Sequence, residues 1–151
     1  MNIVSRYSSR LLVLLISVSA ATQIYANSAI DGQWKTIDDK TKLPKSIIEI
    51  FTKDGKVSAK VLRVLNPDTP NPICSRCKDE RKDQPIEGMT IMWGLSAKTN
   101  GKWSGGKILD PKKGKIYQVK LRSIEQGQKL KVRGFLGTAL IGRTQIWERM
   151  P

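Results

Sequence analysis

The most reactive residues of the chain are its two cysteines, Cys74 and Cys77, which lie two residues apart in the stretch "PICSRCKDERKD". Thiols at this spacing serve as a redox dithiol, as part of a zinc site or as a small disulfide clip. Zinc calls for about four ligands, and the chain has no histidine to add to the two cysteines. A redox dithiol belongs at the start of a helix in a βαβ setting, whereas Pro70, Pro72 and Pro85 surround this pair. The reading these residues favour is therefore a Cys74–Cys77 disulfide, formed in an oxidising compartment. A ring this short contributes about 2 kcal/mol in the chain-entropy picture, so it tightens a loop without holding the fold together.

The lack of histidine also removes the commonest general base and every Ser–His or Cys–His nucleophile pair. Asp38, Asp39, Asp54, Asp79, Glu80, Asp83 and Asp110 mostly fall in expected turns, where acids are ordinary solvated turn formers. No catalytic residue, metal ligand or cofactor is assigned, and the chain reads as a protein without enzymatic activity. The remaining candidates are aromatic and basic. Trp34, Trp93, Trp103 and Trp147 all fall in expected strands, and Arg143 and Arg149 share a strand face with Trp147. An arginine packed on an indole face contributes roughly 0.5 to 2 kcal/mol.

The elements that position these residues are short. Apolar runs are interrupted every ten or so residues by turn residues, a pattern of antiparallel strands. Expected strands are Gly32 to Asp38, Ser46 to Thr52, Lys56 to Leu65, Met89 to Leu95, Trp103 to Leu109, Ile116 to Ile124, Lys129 to Gly137 and Ala139 to Arg149. Asp54 and Gly55 in "KDGK" suit a tight hairpin, and "PKKGK" and "EQGQ" read as two more turns. In "YQVKLRS", Tyr117, Val119 and Leu121 share one face, with Gln118, Lys120 and Arg122 on the other. Likewise Leu130, Val132 and Leu136 alternate with Lys129, Lys131 and Arg133. One face is buried and the other wet. About eight strands in meander order predict an all-β, antiparallel up-and-down barrel, whose closure removes exposed edges and whose interior holds side chains or one small ligand. The segment from Asn66 to Gly88 is far longer than a usual connection.

The first residues read as a secretory leader: Arg6 and Arg10, an apolar run from Leu11 to Val18, then small residues, with cleavage expected after Ala26. Residues 1–26 are then a signal peptide and 27–151 a single domain, placed in the periplasm or outside the cell. The run is too short to span a bilayer, and no second candidate follows, so no transmembrane segment is expected in the mature chain. The formal net charge of the full chain is +14, which draws such a surface to polyanions.

The stretches "DGQWKTIDDKT", "IIEIFTKDGKVSAKVLRVLNP", "CSRCKDERKDQPIEGM", "GGKILDPKKGKIYQVKL" and "KVRGFLGTALIGRTQIWERM" together resemble a family of small secreted bacterial proteins grouped as a domain of unknown function. The resemblance runs from Ile30 to Arg149. It implies a lipocalin-like (calycin) β-barrel and no assigned catalytic activity, with a small apolar ligand suspected in the barrel. Gly32 and Trp34 match the Gly-x-Trp that opens the first lipocalin strand, and Arg149 or Arg143 matches the late arginine that packs across that tryptophan; these residues and Trp147 are expected to be structural. The CxxC matches the family's loop and supports a clip.

Three functions fit. The first is a binding or carrier protein for a small lipid-like or apolar molecule, with Trp93, Trp103, Tyr117 and Phe135 lining the barrel. The second is a basic envelope-associated protein that binds anionic polymers or lipid head groups. The third is a scaffold whose 66–88 loop meets a partner protein. Nucleic acid is not the expected partner, because the aromatics do not interleave with the basic residues on one face.

Overall fold

The computed structural model of the protein describes residues 29–65 and 67–151. The leader expected over residues 1–26 lies outside the described residues. Eight strands follow one another: β1 (Gly32–Ile37), β2 (Pro44–Lys53), β3 (Lys56–Val64), β4 (Thr90–Lys98), β5 (Lys102–Asp110), β6 (Lys115–Ile124), β7 (Lys129–Phe135) and β8 (Gly142–Arg149). They close in sequence order into one antiparallel barrel, in which β8 returns to pair with β1 through Trp34↔Arg149 and Thr36↔Trp147.

Local chemistry accounts for the order. Between β2 and β3, Asp54 and Gly55 adopt φ of 50° and 70°, the left-handed pair that a tight hairpin needs to match the twist of its strands. Strand alternation then assigns the faces. Trp34, Ile48, Ile50, Ala59, Met92, Val119, Leu121, Leu130, Val132 and Trp147 are buried, and the cross-strand partners Gly32↔Ile50, Ile50↔Ala59, Ala59↔Met92, Met92↔Ile108 and Ile108↔Tyr117 carry the inward face around the wall. Lys35, Lys60, Lys107, Lys120 and Lys131 occupy alternate, outward positions. Some are paired, Lys35 with Glu148 at 3.1 Å and Lys60 with Glu49 at 2.8 Å, but exposed pairs contribute only about 0 to 1 kcal/mol. Burial of the inward set stabilises the barrel.

The last hairpin departs from expectation. The run "GFLGTALIG" was apolar enough to predict strands on both sides of Thr138, yet β7 ends at Phe135 and β8 begins at Gly142. Arg133 holds the intervening turn in place. Its Nε donates to the Ala139 carbonyl at 2.8 Å, its Nη2 to that of Leu140 at 3.2 Å and its Nη1 to Thr144 Oγ1 at 2.9 Å. With those carbonyls occupied, the turn cannot extend the ladder.

Candidate ligand site at the loop end of the barrel

The two ends of the barrel differ. One end is closed by the turn that precedes β1. Ile30 and Trp34 are fully buried, and Trp34 Nε1 donates to the Ile30 carbonyl at 2.9 Å. Across the indole, at 4.4 Å from the ring centre, lies the Arg149 guanidinium. Arg149 also donates to the carbonyls of Gly127 at 3.0 Å, Asp31 at 3.1 Å and Ala29 at 2.7 Å. The residue thus ties the chain before β1, the β6–β7 turn and β8 into one cap. Of the two arginines the resemblance allowed, Arg149 is the one that packs on Trp34; Arg143 instead pairs with Asp39, its Nε 2.7 Å from Oδ2.

The other end carries the connections 38–43, 65–89, 111–114 and 136–141. The inward positions nearest to it divide into two arcs. Ile108 on β5 and Tyr117 on β6 face each other across one register step and form an apolar arc. On β1, β2 and β8 the arc is polar: Thr36 Oγ1 lies 2.7 Å from Ser46 Oγ, Gln145 accepts from Trp147 Nε1 at 3.2 Å, and Arg143 reaches Asp39. Gly134 on β7 separates the arcs. A Cβ there would meet only Ile108 at 3.6 Å and Tyr117 at 3.7 Å among side chains, so the glycine leaves room between them. Beneath this mouth the barrel is filled, since Met92, Leu95, Val119, Leu121 and Trp103 are all buried. The indole N–H of Trp103 meets no acceptor among the described residues, an uncommon state for a buried donor.

Cys74 and Cys77 form the disulfide and are buried. The loop that carries them lies across the β5–β6 turn: Gly114 takes φ of 65°, and a Cβ on it would come within 1.9 Å of the Arg76 carbonyl oxygen. Leu109, one residue off the inward-facing Ile108, is buried as well, because the loop covers this part of the outer wall. Further along, Arg81 stacks 4.9 Å from the centre of the Trp93 ring. Its Nε donates to Asp79 at 3.0 Å, and this hydrogen bond, opposed by partial desolvation, holds the Asp79 carboxyl down at about 2. A carboxyl depressed in the folded state stabilises it fully above the ordinary value of 3.8 and loses that contribution as pH falls toward 2. The Arg81 clamp on Trp93 is thus expected to hold at pH 5 and to loosen between pH 4 and about 2. The difference in fluorescence between the wild type and Trp93→Phe should report that transition. An identical acid transition in Asp79→Asn would sink the assignment.

The four aromatics expected to line the interior are not brought together. Trp103 lies inside, in the floor, and Tyr117 lies at the mouth. Trp93 is placed outside: it pairs with the exposed Lys107 and faces a depression lined by Arg81, Pro85 and Thr90. The reason is a bulge at Gly94, where φ is 79°, which lets Met92 and Leu95 both point inward, three residues apart. Phe135 is also outside, paired with the exposed Gln118 and lying 5.9 Å below Lys120 Nζ. Sequence reasoning missed Ile108, Gly134 and Gln145. Parity with Leu130 and Val132 on β7 would have placed Gly134 on the inward face; the irregularity between Trp103 and Gly106 hides Ile108 from the same argument.

The profile of DUF2147, described as an uncharacterized protein conserved in bacteria, matches residues 32–149. The chain belongs to the DUF2147 family. No curated protein matches it in sequence. Among solved structures, the DUF2147 barrel is similar to HP1028 from the human pathogen Helicobacter pylori, described as belonging to the lipocalin family. The TM-score is 0.71 at 18% sequence identity, and 81% of this chain and 83% of that chain are covered. At that identity the likeness establishes the fold. The DUF2147 chain is a lipocalin-like barrel.

Proposed function

We propose that this protein is an exported, non-catalytic carrier that receives a small lipid-like or apolar molecule at the loop end of its barrel. The observation that carries the reading is the mouth itself. An apolar arc of Ile108 and Tyr117 faces a polar arc of Thr36, Ser46, Gln145 and Arg143, with Gly134 keeping them apart, while the opposite end is sealed by Trp34 and Arg149. Apolar walls with a few fixed polar groups are what small-molecule sites are made of. The filled floor makes the site shallow, which suits a ligand with one short apolar part and a polar head. Export rests on the leader-like residues up to Ala26 and accords with a disulfide, a bond that persists in oxidising compartments.

Gly134 supplies the test, since its backbone lies outside the positive-φ region and a Cβ there meets nothing nearer than Ile108 at 3.6 Å and Tyr117 at 3.7 Å, both ordinary contacts. Gly134→Leu should keep the fold and fill the mouth. Titration with a fluorescent apolar probe is expected to show at least a tenfold loss of affinity in Gly134→Leu and a clear loss in Tyr117→Ala. Probe uptake unchanged in both variants would place the ligand elsewhere and end this assignment.

A further inference from the structure

The large apolar side chains that remain exposed among the described residues are Leu43, Ile73, Ile116, Leu136, Leu140 and Ile141. All six belong to connections or strand starts at the loop end. Leu140 and Ile141 are the most exposed, at 90% and 73%. They are not held out by slack chain. Two hydrogen bonds from Arg133, to the carbonyls of Ala139 and Leu140, fix their turn, and the Leu136 amide closes it on the Ile141 carbonyl at 3.2 Å. A fixed turn that presents two large apolar side chains to water does nothing for the barrel core, and contiguous exposed apolar surface of this kind marks a site of interaction.

The surrounding charge indicates the partner. Lys40, Lys42 and Lys45 lie on the β1–β2 side of this end, and Lys113 and Lys115 on the β5–β6 side. The ion pairs on these two connections are Arg143–Asp39 and Lys112–Asp68, so those five lysines take part in none among the described residues. Asp38 accepts the amides of Lys40 and Thr41 at 2.9 and 3.0 Å and feels the charge of Lys45, and Asp110 accepts the amide of Lys113 at 3.3 Å, which leaves Lys40, Lys42, Lys113 and Lys115 as the unpaired lysines of this end. An apolar tip ringed by unpaired lysines matches the boundary of an anionic bilayer, where the apolar groups enter the acyl region and the cations meet head groups. The barrel wall is not itself a membrane wall, because its outward positions carry lysines and its inward ones are apolar, the reverse of a lipid-facing barrel.

We infer that the loop end of the barrel docks on an anionic lipid surface, with Leu140 and Ile141 inserted and Lys40, Lys42, Lys113 and Lys115 against the phosphates. This goes beyond the carrier reading and does not depend on it. The test is co-sedimentation of residues 27–151 with vesicles of phosphatidylcholine alone and of phosphatidylcholine with about 30% phosphatidylglycerol, whose negative surface potential attracts basic segments. Binding is expected to the anionic vesicles only, to weaken steeply with salt, and to fall at least tenfold in Leu140→Asp/Ile141→Asp with an unchanged Tm. Replacing the four lysines by glutamine should lower it to a similar extent. Three outcomes overturn the proposal: wild type that ignores anionic vesicles at low salt, binding unaffected by the tip variant, or a tip variant whose sole effect is to convert a dimer to a monomer on light scattering. The last would assign the tip to a second copy of the chain. Probe titration at Gly134→Leu is unaffected by any of these, so the two proposals fail separately.

Discussion

Trp34→Ala is expected to destabilise the protein by about 3 to 5 kcal/mol, the range for removing a fully buried large aromatic, and to lower Tm by roughly 10 to 20 °C. The indole is wholly buried, so its loss leaves a cavity that the rigid wall cannot fill. It also leaves the Ile30 carbonyl without its donor and removes the ring face against which Arg149 is packed. Against a total stability of about 5 to 15 kcal/mol, that is a fifth or more. Trp34→Phe separates the contributions, since it keeps most of the packing and loses the N–H; its cost should be about 1 to 3 kcal/mol. Chemical denaturation of the three proteins decides the matter. A loss below about 1 kcal/mol in Trp34→Ala would mean that Arg149 and the preceding turn close this end without the ring.

The second large effect is local. Gly114→Ala places a methyl group where the Arg76 carbonyl now sits, at 1.9 Å from its oxygen, on a residue with φ of 65°. The left-handed conformation alone costs an L-residue about 1 to 2 kcal/mol, and the obstructing atom is backbone, which cannot swing aside. The cysteine loop must therefore lift off the β5–β6 turn. Cys74 and Cys77, now buried, would then meet solvent, and reduction by dithiothreitol is expected to accelerate at least tenfold. Far-ultraviolet circular dichroism should change little, because the strand ladders do not pass through the loop. Reduction at the wild-type rate would show that the loop stays docked by other contacts, of which the Cys74 Sγ contact with the Pro111 carbonyl at 3.3 Å is the nearest.

Much of the barrel was legible because its signals are local. Turn residues recur at hairpin spacing, and lysines mark the wet face of nearly every strand. The loop clip was legible by elimination, as no histidine and no helix start accompany the cysteines. The lining of the site was not. Phe135 shares its parity with Lys129, Lys131 and Arg133, so alternation already placed it outside; its aromatic character argued the other way, and parity prevailed. Trp93 could not be assigned by parity at all. The bulge at Gly94 breaks the alternation of β4, and a sequence shows a glycine there without showing which way the strand turns. The 136–141 turn was hidden for a third reason. Its apolar residues look like strand residues, and what keeps them out of the ladder is an arginine on the neighbouring strand whose hydrogen bonds appear only in three dimensions.

The cap around Arg149 also bears on the order of events in folding. Its partners Asp31 and Ala29 lie 118 and 120 residues away in the chain, and the strand that carries it is the last to be synthesised. Until β8 has left the ribosome, β1 and β7 are open edges, and the hairpins made earlier form a curved sheet with an unclosed seam. Contacts this distant in sequence are slow to form, and open edges invite pairing with other chains. Closure of the seam is therefore the last step of barrel assembly, and the sheet stays open for as long as β8 is withheld.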